Sequence, residues 1–137
     1  MQKLSWVVLL IFAWVTLAGE SQVILESWRF GDDYVIFVNL NKGMKINKGC
    51  EDSKSKCEVW KILAQVSMKN LKASDLSGGK NMGASLCHQQ NKARIVFARN
   101  TVGNQATFCA FSDGSMVDSG GLLLAAKMND VNNKVKP

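Results

Sequence analysis

The sequence predicts an α+β domain: a small, mostly antiparallel sheet with one clear short helix, crosslinked by disulfides. Three observations point there. Short β-branched and aromatic runs recur between Gly, Asn and Asp turns. One segment, opening at Asn81, carries a helix-start signal. Four cysteines stand behind an apolar leader, and an even count in that setting reads as a disulfide framework.

The leader comes first. Lys3 and the amino terminus precede an apolar run over residues 4–18, broken by Ser5 and Thr16, and Gly19, Glu20 and Ser21 follow. A basic start, a short apolar core and small residues at its end make a secretory signal, cut after Ala18 or Gly19. A permanent membrane anchor needs about 20 apolar residues, more than this run holds. No cysteine stands at the cut to carry a lipid. The expected product is a single domain, residues 20–137, periplasmic or secreted and not spanning a membrane.

Residues 22–30 and 34–40 read as two strands around Gly31-Asp32-Asp33. The second is nearly continuous in apolar residues, as in a strand covered on both faces. Asn-Lys-Gly triplets at 41–43 and 47–49 make residues 41–57 a polar loop. Trp60, Ile62, Ala64, Val66 and Met68 alternate with period two and read as a strand, although Trp60, Leu63 and Ala64 also fit a helix face. Residues 69–80 form a polar connector.

Asn81 is an N-cap for a helix running to about Gln90. Between residues 93 and 99, Ile95 and Phe97 alternate with Arg94 and Val96. Gly103-Asn104 turns the chain into a partner strand over 105–111. Asp113-Gly114 is a hairpin signal, and residues 115–117 return. Residues 122–128 are apolar and of undecided type. The tail, 129–137, is expected to fray.

Cys50, Cys57, Cys87 and Cys109 allow three pairings, of which the local one, Cys50–Cys57 with Cys87–Cys109, is expected. Their spacings do not match structural zinc sites, and no metal or cofactor is expected. Without Lys3, 16 of the 17 basic residues remain against 11 acidic ones, a balance that favours anionic partners. Lys42, Lys45, Lys48, Lys54, Lys56 and Lys61 form the one dense basic stretch and are the candidate contacts to an anionic surface. Glu51, Asp52 and Glu58 interrupt it. It has no interleaved aromatics, so specific nucleic-acid recognition is not expected.

No catalytic residue is assigned. Asp118-Ser119-Gly120-Gly121 resembles the nucleophile loop of trypsin-like proteases, and His88, Asp113 and Ser119 fall in that family's order. Val117 and Leu122 replace its flanking glycine and proline, and the chain is too short for a double barrel. His88 lacks an orienting partner in sequence, and adjacent helical residues such as Cys87 and His88 do not face each other. Asp32-Asp33 and Asp113-Gly114-Ser115 read as turn chemistry, because the alternating acidic ligands of a calcium loop are missing.

Asn81-Met82-Gly83-Ala84-Ser85-Leu86-Cys87, followed by Cys109-Ala110-Phe111-Ser112-Asp113-Gly114-Ser115, resembles a small bacterial exported domain of unknown function that often carries a haemolysin label. The match spans about residues 78–125. Met82 stands in place of the family's proline, Gly83 is an extra residue, and Val117 replaces a third cysteine. The resemblance implies an envelope or secreted protein with Cys87–Cys109 as a helix-to-strand crosslink. It supplies no activity.

The leading functional expectation is a non-enzymatic binding domain, acting on an extracytoplasmic protein, for example as an inhibitor of a secreted hydrolase. The alternative is a membrane-active or anionic-surface-binding protein working through the basic stretch. An enzyme with a site assembled from scattered Asp, Glu and Arg ranks last.

Overall fold

A computed structural model of the chain describes residues 22–40, 43–52 and 56–135. The expected leader, residues 1–19, lies outside them, as do Lys42 and Lys54. Six strands close into an antiparallel barrel in the order β1-β2-β3-β6-β5-β4. They are β1 (Ile24–Phe30), β2 (Asp33–Asn39), β3 (Lys45–Asn47), β4 (Arg94–Asn100), β5 (Gln105–Ala110) and β6 (Met116–Asp118). Three helices pack outside it: α1 (Glu58–Gln65), α2 (Met82–His88) and α3 (Ser119–Val135). This corrects the expected small sheet with one helix.

The barrel interior is filled. Trp28, Phe37, Ala98 and Phe108 are buried there, with Phe30, Val35 and Val96 packed against them. The ring centroids of Phe37 and Phe108 lie 4.5 Å apart, and those of Trp28 and Phe108 5.3 Å apart. The Trp28 indole N–H donates to Glu26 Oε2 at 2.9 Å. A second core lies between the barrel wall and the helices. It joins Ile46, Cys109 and Val117 from the strands to Val59, Leu63, Leu86, Leu122 and Ala126 from the helices.

Each departure from the expected elements has a non-local cause. Residues 60–68 carry a two-residue alternation, yet α1 forms because Val59 and Leu63, one turn apart, are both buried while Ala64 faces solvent. Its N-cap residue, Cys57, makes no side-chain cap bond. The caps come from the far end of the chain. Glu58 N–H donates to Asp113 Oδ2 at 2.6 Å, and Val59 N–H donates to Ser115 Oγ at 3.1 Å. Asp113-Gly114-Ser115 is the expected turn, with Gly114 at φ +85°, but its side chains also satisfy the free amides that any helix start leaves.

The polar loop expected over 41–57 contains β3, whose Ile46 is fully buried. The undecided 122–128 segment and residues 129–135 of the tail expected to fray belong to one helix, α3. Asn129 Nδ2 donates to the carbonyls of Leu63 and Val66, 2.9 Å each, and Asp130 accepts from Ser67 Oγ at 2.5 Å and Met68 N–H at 2.9 Å. These bonds tie α3 to the end of α1. Helix α2 starts where expected, with Asn81 Oδ1 accepting from Ala84 N–H at 3.1 Å.

The two halves repeat one plan. Three antiparallel strands lead to a helix in β1-β2-β3-α1 and again in β4-β5-β6-α3, and the ring order reads the same when the halves are exchanged. Helix α2 precedes the second half.

Candidate functional site

Among the described residues, Trp28, Phe37, Ala98 and Phe108 fill the barrel interior, and the depressions around Arg29 and Arg99 lie on its outer wall. The helices cover β3, β6 and part of β5 and β4. Among the described residues, the outer side of β1, of residues 34–36 of β2 and of the end of β4 is left exposed. Four residues form a row across it. Tyr34 pairs with Arg29, Arg29 with Arg99, and Arg99 with Gln105, so the row crosses β2, β1, β4 and β5. Residues directly opposite on antiparallel strands point to the same face.

Arg29 and Arg99 are exposed and occupy matching places in the two halves. Like charges directly opposite each other destabilise a strand pair. Among the described residues neither arginine forms an ion pair. With its amide oxygen turned toward β4, Gln105 accepts from Arg99 Nε and Nη2 at 2.8 and 2.5 Å, which fixes the plane of that guanidinium.

Two open depressions share the arginine pair. One, of about 320 Å³, is lined by Arg29, Gly31, Phe97, Ala98, Arg99 and Gln105. The other, of about 400 Å³, adds Tyr34, Asn100, Thr101 and Gly103 to the two arginines. Tyr34 is 64% exposed and Phe97 76% exposed, with Leu25 and Ile36 also exposed nearby on β1 and β2. Tyr34, Arg29 and Arg99 are of the types that dominate binding energy in protein interfaces, and Phe97 is of a type enriched at their centres.

The lysines expected to contact an anionic surface are spread over four successive elements. Lys45 lies on β3, Lys48 in the 3-10 turn after it, Lys56 just before α1, and Lys61 on the exposed side of α1. Of these, Lys48 reaches the bare wall, lining a depression of about 540 Å³ with Tyr34, Val35, Ile36, Asn47 and Gly49. Both disulfides are formed as expected, Cys50–Cys57 and Cys87–Cys109. Such crosslinks belong to a chain that folds outside the reducing cytoplasm. No helix among the described residues is long and apolar enough to cross a membrane.

The residues of the protease-like motif serve the scaffold. Ser119 is buried, and its hydroxyl accepts from Asn81 Nδ2 at 3.1 Å. Asp118 accepts from Gly121 N–H at 3.0 Å and caps α3. His88 is exposed at the end of α2. Asp113 is the capping carboxylate of α1. Partial burial pushes its pKa up, but hydrogen bonds from the Glu58 backbone and the Ser115 hydroxyl and backbone outweigh that and hold it below the usual carboxylate range.

Sequence reasoning passed over Arg29 and Arg99. The alternation around Ile95 and Phe97 correctly puts them on one face, but the helices cover Ile95 and leave Phe97 bare. The signal that was available is an arginine ending two hairpin strands of similar pattern. No family model, curated protein or solved structure matches the chain.

Proposed function

We propose that the protein is a non-enzymatic, exported binding domain, periplasmic or secreted, that engages a protein partner through the bare wall of β1, β2 and β4. One observation carries this reading: Tyr34 and Phe97 stand largely exposed on either side of the Arg29–Arg99 pair. Isolated exposed apolar residues are ordinary, but a cluster of aromatic, aliphatic and arginine side chains marks a contact surface. The aromatic packing of the barrel interior supports it, because the depressions that the arginines line are open ones on the outer wall. The concave relief around the arginines suits the projecting side chains of a protein better than a flat bilayer.

The test is capture from the extracytoplasmic fraction with three baits: the wild-type protein, Phe97→Ser and Lys61→Ser. A specific partner is retained by the wild type and by Lys61→Ser and lost with Phe97→Ser. Loss with Lys61→Ser instead moves the contact to the lysine stretch and supports the anionic-surface reading.

A further inference from the structure

We infer that Arg29 and Arg99 form a two-guanidinium seat for a single carboxylate, supplied by an acidic side chain of the protein partner; this deepens the reading of the bare wall and rests on it. The two side chains leave neighbouring strands at directly paired positions. Both side chains line the same two depressions, which no described carboxylate lines. Gln105 takes the Nε/Nη2 edge of Arg99, which leaves its terminal Nη1/Nη2 edge and the Arg29 fork for an anion. Arginine forks match a carboxylate with paired hydrogen bonds, and a bound anion removes the repulsion that the empty pair carries.

The seat is partly organised in advance. Gln105 holds the Arg99 guanidinium by two hydrogen bonds, so less side-chain freedom is lost on binding. The depressions differ on the two sides. Phe97 and Ala98 give one an apolar floor, whereas Tyr34, Asn100 and Thr101 give the other polar groups. The fitting ligand is therefore an acidic residue with an apolar neighbour.

Acidic residues beside the pair disfavour a broad anionic surface. Asp32 and Asp33 are exposed at the tip of the β1–β2 hairpin, beside Tyr34. They repel an evenly charged membrane or polyanion brought against the wall.

The experiment follows the Nε–Hε NMR signals of Arg29 and Arg99 while hexaglutamate is added to the purified full chain. Inorganic phosphate and phosphatidylglycerol vesicles serve as parallel probes. Hexaglutamate is expected to shift both signals saturably. Arg29→Gln or Arg99→Gln each weakens binding about tenfold, the scale of one lost charge-assisted bond, and Lys61→Gln leaves it unchanged. Arg29→Lys keeps the charge without the fork and falls between wild type and Arg29→Gln. An unchanged far-ultraviolet spectrum confirms that each variant is folded. No saturable shift overturns the seat, as does equal weakening by Lys61→Gln. Vesicle binding with the same arginine dependence but no hexaglutamate binding assigns the pair to a membrane and overturns it too. If hexaglutamate binds at the arginines while Phe97→Ser leaves partner capture intact, the seat stands and the wider wall is wrong. The converse keeps the wall and removes the seat.

Discussion

Asn47 and Asp118 each hold the strand that the other ends. Asn47 Oδ1 accepts from Met116 N–H on β6 at 2.8 Å, and Asp118 Oδ1 accepts from Lys45 N–H on β3 at 2.6 Å. The two bonds are the same relation written once in each half, and they close the barrel where β3 and β6 share only the pairing of Ile46 with Val117. The opposite seam, between β1 and β4, is also short and has the Arg29–Arg99 pair across it. The scaffold is thus locked on one side by polar side chains and carries its candidate site on the other.

Asp118→Ala is expected to destabilise the fold by about 1–2 kcal/mol, since it removes the α3 cap and the acceptor for β3 together. Asn47→Ala should cost about 1 kcal/mol by losing one backbone acceptor. Urea unfolding checks both, through a lower midpoint at unchanged slope.

Gly83→Ala reverses the usual sign. Alanine in a helix is better than glycine by about 0.5–1 kcal/mol, but a Cβ here would overlap the Ser119 carbonyl. The α2–α3 approach must open, and a loss of about 1–3 kcal/mol is expected. A raised thermal midpoint for this variant would contradict the close approach. Gly83 thus has a packing reason.

Acid should weaken the fold through Asp113. Its folded pKa lies below the ordinary value, so its contribution is fully present above the unfolded aspartate pKa of about 3.9 and fades as pH falls through the folded value. Asp113→Asn should lower stability at neutral pH and flatten the decline below about pH 4. Asp130 adds to the same limb. Its pKa is lowered by the Ser67 hydroxyl, opposed by slight desolvation, and helped by the Met68 backbone, Lys69 and Lys134. Thermal midpoints of the wild type and Asp113→Asn between pH 3 and 7 test this.

Cys87–Cys109 joins α2 to β5. Replacing both by Ala should cost up to about 3.4 kcal/mol by loop entropy alone. Denaturant unfolding of Cys87→Ala/Cys109→Ala against the wild type measures it. A loss well under about 1 kcal/mol would show that the crosslink does not constrain the unfolded chain as that model requires.

The legible parts of the fold were those encoded locally. The β1–β2 and β4–β5 hairpins, the Asn81 cap and the Asp113-Gly114 turn all follow from neighbouring residues. The unread parts depend on distant partners. Helix α1 has no cap of its own and borrows Asp113 and Ser115, so its period-two residues misled. Asn129 and Asp130 look like a polar tail until they meet the end of α1. Closure of the barrel rests on side chains such as Asn47 and Asp118 that look like turn residues in sequence. The site was hidden for the same reason: Arg29 and Arg99 are far apart in the chain and meet only when β1 pairs with β4.

Site-specific photo-crosslinking in the exporting cell tests the central claim most directly. A photoreactive residue placed at position 97, beside the arginine pair, is compared with one at position 61 on the far side of the sequence-predicted lysine stretch. The account predicts a discrete protein adduct from position 97 that disappears with Arg29→Glu/Arg99→Glu, and none from position 61. An adduct from position 61 with none from position 97 would contradict it.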